Sequence, residues 1–520
     1  MNTKPNVILI YADDLGRGML GCYGQNHFAT PNIDRLCAEG IRFDYAYGNH
    51  MCAPARACLL SGIHDCHSGR WSFTRGGAYM DYARGHMTLD EVYELIHNTG
   101  IEQRSEDIFL PMIFGRAGYA TGQIGKLEWG FSTTGDEIKA HGWEYHYGYY
   151  DHYLCHGYYP PFLFENGMCV DIEGNTDLDF GRGYMYGHPL YDAYRDDQSD
   201  KKSYSQDLFD QKIVEFISNN KDRPFFLYHP SQLPHLMLSI PEIDSRVKEL
   251  PDLNKSEKEY ASMVLRLDNT VGVIRETLEE YGILENTMIV FTADNGHCFY
   301  YGAERNNGYG LHYTTKGKVL DHYHVRYTTE AVGDVFDGND GMTGCKLSNF
   351  EGGTRVPLVV CWPGKINAGT VTDRMVTNYD FMATMADLLG MSPGKNKDGK
   401  SYLGLLLGKE RNYNGHEYIV YAGENGPALI TPDGWKVRSY IHKSYDYGVF
   451  GATWKEIGHN AEFELYNILD DAKEEHNLAD GHNDILNRLR GMLIQACDGN
   501  IINGTTQPHF AFYARDLEAW

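Results

Sequence analysis

The sequence lacks several features that mark secreted, membrane-bound or disulfide-rich proteins. From Met1 it runs into an apolar stretch without the charged lead, apolar core and cleavage site of a signal peptide, and no apolar run approaches membrane-spanning length. Its eleven cysteines are irregularly spaced and include no Cys-X-X-Cys pair, which favours reduced thiols over a disulfide framework or a zinc site. We therefore expect a cytoplasmic protein, or a secreted or periplasmic one if a signal peptide has been removed.

Positive charge is also scarce in this chain. Its 46 Lys and Arg residues stand against 71 Asp and Glu residues, which gives a formal net charge of -25. Nucleic acids and anionic membranes are bound by clustered cations, so this balance argues against both partners. If the substrate is an anion, its binding site must be cationic locally.

What the chain does contain is enough apolar sequence for a large core. At 520 residues and 42% hydrophobic residues, it is long enough for two domains of unequal size. Continuous apolar runs of strand length occur at 6–12, 224–229, 288–293 and 356–362. Such runs are typical of strands buried on both faces of a mainly parallel sheet. An amphipathic helix from Glu257 to Tyr281 lies between two of them.

These patterns predict an α/β fold with two domains. Residues 1–390 form a large doubly wound domain around a mainly parallel sheet, ending near Gly390. Residues 391–520 form a smaller α+β domain, with short strand-like runs at 417–423, 435–441 and 463–468 and a helix near 484–496. The tyrosine-rich stretch 141–161 either lines a sugar-binding surface or packs a long loop, and the sequence leaves both interpretations open.

The stretch "MCAPARACLLSG" at 51–62 predicts a short helix with a cysteine at its start. Pro54 suits the first helical position, and Ser61 and Gly62 end the helix. Cys52 then lies near the N-cap, where backbone N–H groups and the helix dipole favour an anion. The alternative is a free cysteine packed as a small apolar residue.

Acidic pairs follow two of the predicted strands. Asp13 and Asp14 end the first strand, and Asp294 and Asn295 end the strand at 288–293. Taken singly, each pair is better explained as a turn or helix cap, but two such pairs after two buried strands favour a shared site. Ligands bind beyond the carboxyl ends of parallel strands, and an all-oxygen set selects Ca²⁺ or Mg²⁺ over zinc.

Six short motifs occur here in the order found in formylglycine-dependent sulfatases, which the chain resembles from about residue 6 to residue 478. They are "YADDLG", "CAPAR" followed by "ACLLSG", "GYATGQIGK", "TADNG" and "FEGGTRVP". Cys52, Pro54 and Arg56 match the family's Cys-X-Pro-X-Arg motif, with Ala55 where Ser is common. The resemblance implies an alkaline-phosphatase-like fold and hydrolysis of sulfate monoesters.

The resemblance also implies roles for matching residues. A maturation enzyme oxidises Cys52 to formylglycine, whose hydrate Arg56 holds. The ligands implied for Ca²⁺ or Mg²⁺ are Asp13, Asp14, Cys52, Asp294 and Asn295. The residues implied to bind sulfate are Lys126, His235 and Lys346, the last two of which also assist the leaving oxygen. Without the motifs, these would read as solvated lysines and a turn histidine.

One position departs from the family pattern. Many relatives read Gly-Lys-Trp-His-Leu-Gly where this chain has Glu128 at the histidine position. A carboxylate would repel sulfate unless it is protonated or turned away. Some sulfatases without that histidine carry a His-X-Tyr-Tyr-Pro segment, which matches His156 to Pro160 here. His156 is therefore predicted to replace the missing histidine, the alternative being a histidine packed among tyrosines.

The substrate is expected to be a sulfated mono- or oligosaccharide, processed from its end. Galactose and N-acetylgalactosamine sulfates are first candidates because of the His-X-Tyr-Tyr-Pro resemblance. Specificity is expected in the tyrosine-rich stretch and in the polar segment 312–330. Two alternatives remain, namely a phosphate or phosphonate ester hydrolase of the same fold and a catalytically silent glycan-binding relative.

Overall fold

The computed structural model describes residues 4–67, 76–99, 107–178, 180, 191–303, 332–424, 426–441 and 461–505. The polar segment 312–330 and the last fifteen residues of the predicted second domain lie outside this part of the chain. Within the described residues, no helix combines the length and the apolar character needed to cross a bilayer.

A large sheet forms the centre of the protein. Its strands, in chain order, are β1 Asn6–Ala12, β2 Ile41–Tyr47, β3 Ala120–Gly125, β4 Tyr145–Gly148, β5 Phe162–Glu165, β6 Met168–Asp171, β7 Phe225–Pro230, β8 Thr287–Ala293, β9 Arg355–Cys361, β10 Thr370–Thr372 and β11 Val376–Thr377. They lie side by side in the order β10-β2-β9-β8-β1-β7-β3-β4-β5-β6, with β11 also paired to β2. The four apolar runs of the sequence analysis all lie in this sheet.

The middle of the sheet is parallel. β8, β1, β7, β3 and β4 run in one direction. β9 runs antiparallel to both of its neighbours, and so do β5 and β6 to theirs. Every residue of β1, β7 and β8 is buried, which agrees with helices covering both faces. The prediction of a mainly parallel α/β domain is confirmed.

A second, smaller sheet is antiparallel throughout. It consists of β12 Ile419–Tyr421, β13 Ala428–Ile430, β14 Trp435–Ile441 and β15 Ala461–Asn467, paired in chain order. The sequence analysis predicted β12, β14 and β15 but missed β13, whose three residues are too few to show a period. The antiparallel α+β character of this region is confirmed, while the division at residue 390 stays a prediction.

The helices pack on both faces of the large sheet and on one side of the small one. The α-helices are Pro31–Glu39, Cys52–Ser61, Ala78–Ala83, Leu89–Thr99, Leu110–Arg116, Gly135–Ala140, Tyr191–Asp196, Ser205–Asn220, Ser245–Lys248, Lys255–Glu280, Glu351–Thr354, Asp380–Leu389, Leu403–Leu406 and Asn483–Ala496. The helix predicted at 257–281 extends from Lys255 to Glu280. A capping box formed by Asn254 and Glu257 lies at its N-terminus.

The tyrosine-rich stretch packs the interior of its loop. Its buried tyrosines, each at most 3% exposed, are Tyr147, Tyr149, Tyr150, Tyr158 and Tyr159. The Tyr158 hydroxyl donates to the carbonyls of Gln232 and His235 at 2.9 and 2.7 Å. Of the two interpretations left open by the sequence, the structure therefore favours packing, because these rings face protein rather than solvent.

Candidate active site

The candidate site lies at the carboxyl ends of four neighbouring parallel strands. β8, β1, β7 and β3 are adjacent in the sheet, so the residues that follow them meet at one edge. Asp13 and Asp14 follow β1, and Asp294 and Asn295 follow β8, whose last residue is paired with that of β1. Lys126 follows β3 directly. The sheet topology thus brings residues more than 280 positions apart into one cluster.

The acidic groups are held together by backbone and amide donors. The backbone N–H groups of Asp14 and Asn295 donate to Asp294 Oδ1 at 3.0 and 2.9 Å. The Asn295 side-chain amide donates to Asp14 Oδ1 at 2.8 Å. Asp14 adopts a left-handed conformation with φ 60°. All four side chains are fully buried, so their mutual repulsion is not screened by water.

Four cationic or potentially cationic side chains face this acidic cluster. Lys126 Nζ lies 2.5 Å from Asp13 Oδ2, and Arg56 Nη2 lies 2.9 Å from Asp294 Oδ2. Lys346 Nζ lies 2.8 Å from Asp14 Oδ2 and donates to His235 Nε2 at 3.0 Å. His235 Nδ1 donates to the Leu236 carbonyl at 2.6 Å, which fixes its Nε2 as the acceptor. The structure therefore brings together every residue that the resemblance assigned to sulfate binding.

The pKa values of the acidic groups differ because the cations are unevenly distributed. Burial opposes ionisation of Asp13, but Lys126, His235 and Arg56 outweigh it and hold its pKa well below the ordinary value. Burial, followed by repulsion from Asp13, raises the pKa of Asp294. Burial and then Lys346 lower the pKa of His235 to about 4. The raised pKa of Asp294 reflects the carboxylates crowded around it, and an added cation would relieve this repulsion.

The donor set fits a hard divalent cation. Within the described residues, Asp13 Oδ1 and Asn295 Oδ1 are buried oxygens without a hydrogen-bond partner. Potential ligand atoms of Asp13, Cys52 and Asp294 lie within 4.8 Å of one another. Unpaired buried oxygens are costly unless they coordinate an ion, and carboxylate and amide oxygens suit Ca²⁺ or Mg²⁺.

Cys52 is the first residue of the helix Cys52–Ser61, with Met51 as the N-cap. The sequence analysis put Pro54 at the first helical position, and this was wrong by two residues because the helix already begins at Cys52. Gly62 ends the helix with φ 70°, as predicted. Burial raises the pKa of the Cys52 thiol, against the opposing effect of Lys126 and Lys346.

The Glu128 carboxylate contacts two other side chains, those of Trp143 and His141. Its Oε2 accepts a hydrogen bond from the Trp143 indole at 2.9 Å, and its Oε1 contacts His141 Nδ1. Both carboxylate oxygens are therefore engaged, and the side chain is fully buried. The sequence analysis expected a carboxylate here to be either protonated or turned away from the sulfate. The structure agrees with the second condition, because Glu128 is turned toward Trp143 and His141.

His156 and a second histidine of the same loop line the other side of the site. The His156 ring stacks on the His235 ring, with centroids 3.9 Å apart and planes within 10°. His152 lies nearer the cysteine, with its Nε2 3.9 Å from Cys52 Sγ. Burial, and after it the charge of Lys126, holds the pKa of His152 well below the ordinary value. The sequence analysis missed His152, although its place four residues before His156 could have put both on one side of a short turn.

Tyr300 is a second residue that sequence reasoning missed. Its hydroxyl donates to Asp14 Oδ2 and lies 3.4 Å from Lys346 Nζ, and its ring lies 5.3 Å from that of His235. It follows Asn295 by five positions in a loop without periodic pattern. Only the folding of that loop back over Asp14 brings it to the site, so the sequence carried no signal for it.

Comparison with known proteins agrees with this geometry. The family model described as Sulfatase matches residues 5–391, and the model of the C-terminal part of N-sulphoglucosamine sulphohydrolase matches residues 345–497. An N-acetylgalactosamine-6-O-sulfatase of Bacteroides thetaiotaomicron is 26% identical and is aligned over 94% of this chain and 92% of its own length. The N-acetylgalactosamine-6-sulfatase of Canis lupus familiaris is 28% identical over 78% of this chain, which spans 66% of that relative.

Solved structures share the fold at lower sequence identity. Ps i-CgsB in complex with k-i-k-neocarrahexaose has a TM-score of 0.67 and 22% identity, covering 100% of this chain and 97% of the other. A protein solved with its substrate D-glucosamine-2-N,6-O-disulfate has a TM-score of 0.61 and 18% identity, with 96% and 97% coverage. The phosphonate monoester hydrolase of Agrobacterium radiobacter has a TM-score of 0.56 and 16% identity, with 95% coverage of each chain.

A mainly parallel sheet with a buried acidic cluster beyond its strands, and a smaller antiparallel sheet C-terminal to it, is a fold of the alkaline-phosphatase-like class. Within that class, the chain belongs to the sulfatase family. It is a sulfuric ester hydrolase, as the resemblance implied. Enzymes of this family generally use a formylglycine and a divalent metal ion.

Proposed function

We propose that this protein removes sulfate from sulfated saccharides, with formylglycine at position 52 as the nucleophile. The observation that carries the proposal is the convergence of Cys52 with an acidic cluster and four cationic or potentially cationic side chains at the ends of four parallel strands. Fixed cations beside a helix N-terminus suit an anionic sulfate ester, although the chain as a whole is strongly acidic.

The resident cation is proposed to be Ca²⁺, with Mg²⁺ as the alternative. Its proposed ligands are Asp13, Asp14, Asp294, Asn295 and the matured residue 52. When bound, such an ion lowers the pKa of a hydroxyl beside it and draws charge from sulfate oxygens. The two oxygens without hydrogen-bond partners, on Asp13 and Asn295, support this assignment.

The remaining site residues are proposed to hold the matured side chain and the sulfate. A formylglycine hydrate supplies two hydroxyls on one carbon, so that one can accept the sulfuryl group and the other can drive its release. Arg56, one helical turn after residue 52, holds the hydrate. Lys126 and Lys346 bind sulfate oxygens, and Lys346 and His235, which are in contact, assist the leaving oxygen. A formylglycine-generating enzyme is the proposed maturation partner.

Galactose and N-acetylgalactosamine sulfates are the proposed substrates, removed from the ends of glycans or from single sugars. Two relatives named as sulfatases of N-acetylgalactosamine 6-sulfate support this substrate class. The structural neighbour solved with a disulfated glucosamine supports a sulfated sugar more generally. A cytoplasmic location is proposed as well, supported by eleven cysteines that are all free in the structure.

A phosphate or phosphonate ester is the second candidate substrate. The fold shared with a phosphonate monoester hydrolase supports this candidate. Sulfate and phosphate monoesters of one aryl alcohol distinguish the two, since the preferred ester has the higher kcat/KM. Membership of a hydrolase family argues against the third interpretation, a silent glycan-binding protein, and turnover of any ester would exclude it.

The proposal is tested with full-length protein co-expressed with a formylglycine-generating enzyme. Mass spectrometry of the peptide containing residue 52 is expected to show an aldehyde in place of the thiol. A panel of galactose, N-acetylgalactosamine and glucosamine sulfates, each with sulfate at a defined position, is then assayed for sulfate release. The Cys52→Ala variant serves as the control and is expected to be folded but inactive. An aldehyde-containing protein that releases sulfate from none of these sugars would overturn the proposed substrate class.

A further inference from the structure

The site lacks an obvious proton acceptor at the position where many relatives have a histidine. Glu128 stands there, and its carboxylate is engaged by Trp143 and His141. The family resemblance pointed instead to His156. The structure places the His156 ring flat against His235, with centroids 3.9 Å apart. His235 in turn accepts from Lys346, so His156 supports the leaving-oxygen side of the site.

His152 lies beside His156 and next to residue 52. Its Nε2 lies 3.9 Å from Cys52 Sγ, the atom whose place an oxygen takes on maturation. The ring is held edge-on between Phe131 and His156, with both centroid distances 4.6 Å. The residue is 7% exposed, so protein encloses most of it.

The backbone around His152 is fixed by several hydrogen bonds. The His152 N–H donates to the Phe131 carbonyl at 2.7 Å, and the Cys155 thiol donates to the His152 carbonyl at 3.0 Å. The preceding Asp151 accepts from the backbone N–H groups of Tyr153 and Tyr79 at 2.7 and 3.2 Å. A side chain on such a fixed turn keeps its position, as catalytic geometry requires.

We propose that His152 is the residue that accepts the hydroxyl proton of the sulfated formylglycine hydrate and so releases sulfate. This inference rests on the proposed function. In the release step, His152 Nε2 takes the proton of the free hydroxyl, and the O–H electron pair forms the second bond of the aldehyde. The C–O bond to sulfate breaks, and its electron pair leaves with the sulfate. Water then adds to the aldehyde and restores the hydrate.

The test compares five variants of the matured protein. His152→Ala and His152→Gln remove the acceptor, and the glutamine keeps a hydrogen-bonding side chain of similar reach. His156→Gln and Glu128→Gln examine the two other candidates, and His86→Gln is an exposed control. The aldehyde content of residue 52 and the wild-type turnover are measured first. Alcohol release, sulfate release and covalently bound sulfate are then followed after rapid mixing with a sulfate ester.

In both His152 variants we expect a burst of about one alcohol per aldehyde, followed by turnover slowed roughly 10²- to 10⁴-fold. The quenched enzyme should carry sulfate on residue 52. Sulfate release within about threefold of wild type in either His152 variant would overturn the inference, as would accumulation of sulfated enzyme only in the His156 or Glu128 variant. A wild-type protein without aldehyde or turnover would instead overturn the proposed function, which separates the two failures.

Discussion

Glu128 shows how one residue can leave a family pattern without disturbing the fold around it. Its carboxylate accepts from the Trp143 indole and contacts His141, and these three side chains are packed together beneath the site. A histidine at this position could not accept two hydrogen bonds, so Trp143 and His141 depend on the carboxylate. These contacts lead us to expect a structural role for Glu128 rather than a part in the reaction.

Replacing Glu128 should consequently affect stability more than chemistry. Glu128→Ala is expected to lower the free energy of unfolding by about 1–3 kcal/mol, because it leaves buried donors without an acceptor. Urea unfolding followed by fluorescence measures this change. Glu144→Ala, at a side chain 52% exposed, is the matched control and should be nearly neutral. An unfolding free energy equal to that of wild type would show that the Trp143 and His141 contacts contribute nothing.

The buried His146 side chain leads to a prediction about how stability depends on pH. It lies in β4, and neither ring nitrogen has a hydrogen-bond partner among the described residues. Burial lowers its pKa from 6.5 to about 3. The unfolded state therefore binds the proton more tightly, and stability must fall as pH drops below 6.5 toward 3.

The size of this effect is about 1.4 kcal/mol per pH unit within that window. His146→Leu should remove it, so that the variant loses less stability than wild type between about pH 6 and pH 4.5. Urea unfolding at several pH values measures the two slopes, and the same substitution at the exposed His86 is the control. Parallel slopes for wild type and His146→Leu would contradict the prediction.

Among the secondary-structure elements, a buried ionic cluster ties the small sheet to the loop that carries Lys346. Lys436 Nζ in β14 lies 3.0 Å from Glu351 Oε1 and 2.9 Å from Glu474 Oε1, and all three side chains are fully buried. The Tyr47 hydroxyl donates to Glu351 Oε2 at 3.0 Å. Glu351 begins a short helix five residues after Lys346. The cluster therefore links β14, β2 and the loop that carries Lys346.

Breaking this cluster should lower the free energy of unfolding more than breaking a surface ion pair would. Lys436→Met removes the cation between two buried carboxylates, while Arg355 Nη1 remains 3.7 Å from Glu351 Oε2. The substitution is expected to lower the free energy of unfolding by about 3–5 kcal/mol. The measurement is urea unfolding, with Lys409→Met at an exposed site as the control. A loss below about 1 kcal/mol, the range of exposed pairs, would mean that water reaches the cluster.

For the molecule as a whole, we expect the proposed cation to stabilise the folded state, because the chain has a large excess of negative charge. The chain carries a net charge of -25, and three carboxylates are buried at one point where the sheet's strands end. A ligand that binds only the folded state stabilises it by mass action. The proposed cation should therefore contribute to folding as well as to activity.

Chelation should reveal both contributions. Removal of the cation is expected to abolish turnover and to lower the free energy of unfolding by about 3 kcal/mol, the value for a ligand at 100 times its Kd. Calorimetry and sulfate release are measured after chelation and again after adding back Ca²⁺ or Mg²⁺. Because Ca²⁺ tolerates irregular oxygen sets better, it is expected to restore both more fully. Stoichiometric zinc in active protein, or an unchanged melting temperature, would contradict this assignment.

The framework of the fold and most residues of the candidate site were predictable from the amino-acid sequence. Continuous apolar runs predicted β1, β7, β8 and β9, because strands buried on both faces have no polar alternation. Ordered motifs predicted the acidic pairs, Cys52, Arg56 and the three sulfate-binding side chains. These signals are local, since each lies within a few residues of a strand end or a helix start.

Which side chains contact one another could not be predicted from the sequence, because it depends on the order of the strands and the paths of the loops. The order β8-β1-β7-β3 brings Asp13, Lys126 and Asp294 to one point, and no local pattern encodes that order. His152 and Tyr300 reach the site through loops whose paths depend on packing against distant elements. The orientation of Glu128 likewise depends on His141 and Trp143, so the sequence could show that the family's histidine is missing but not which residue stands beside Cys52.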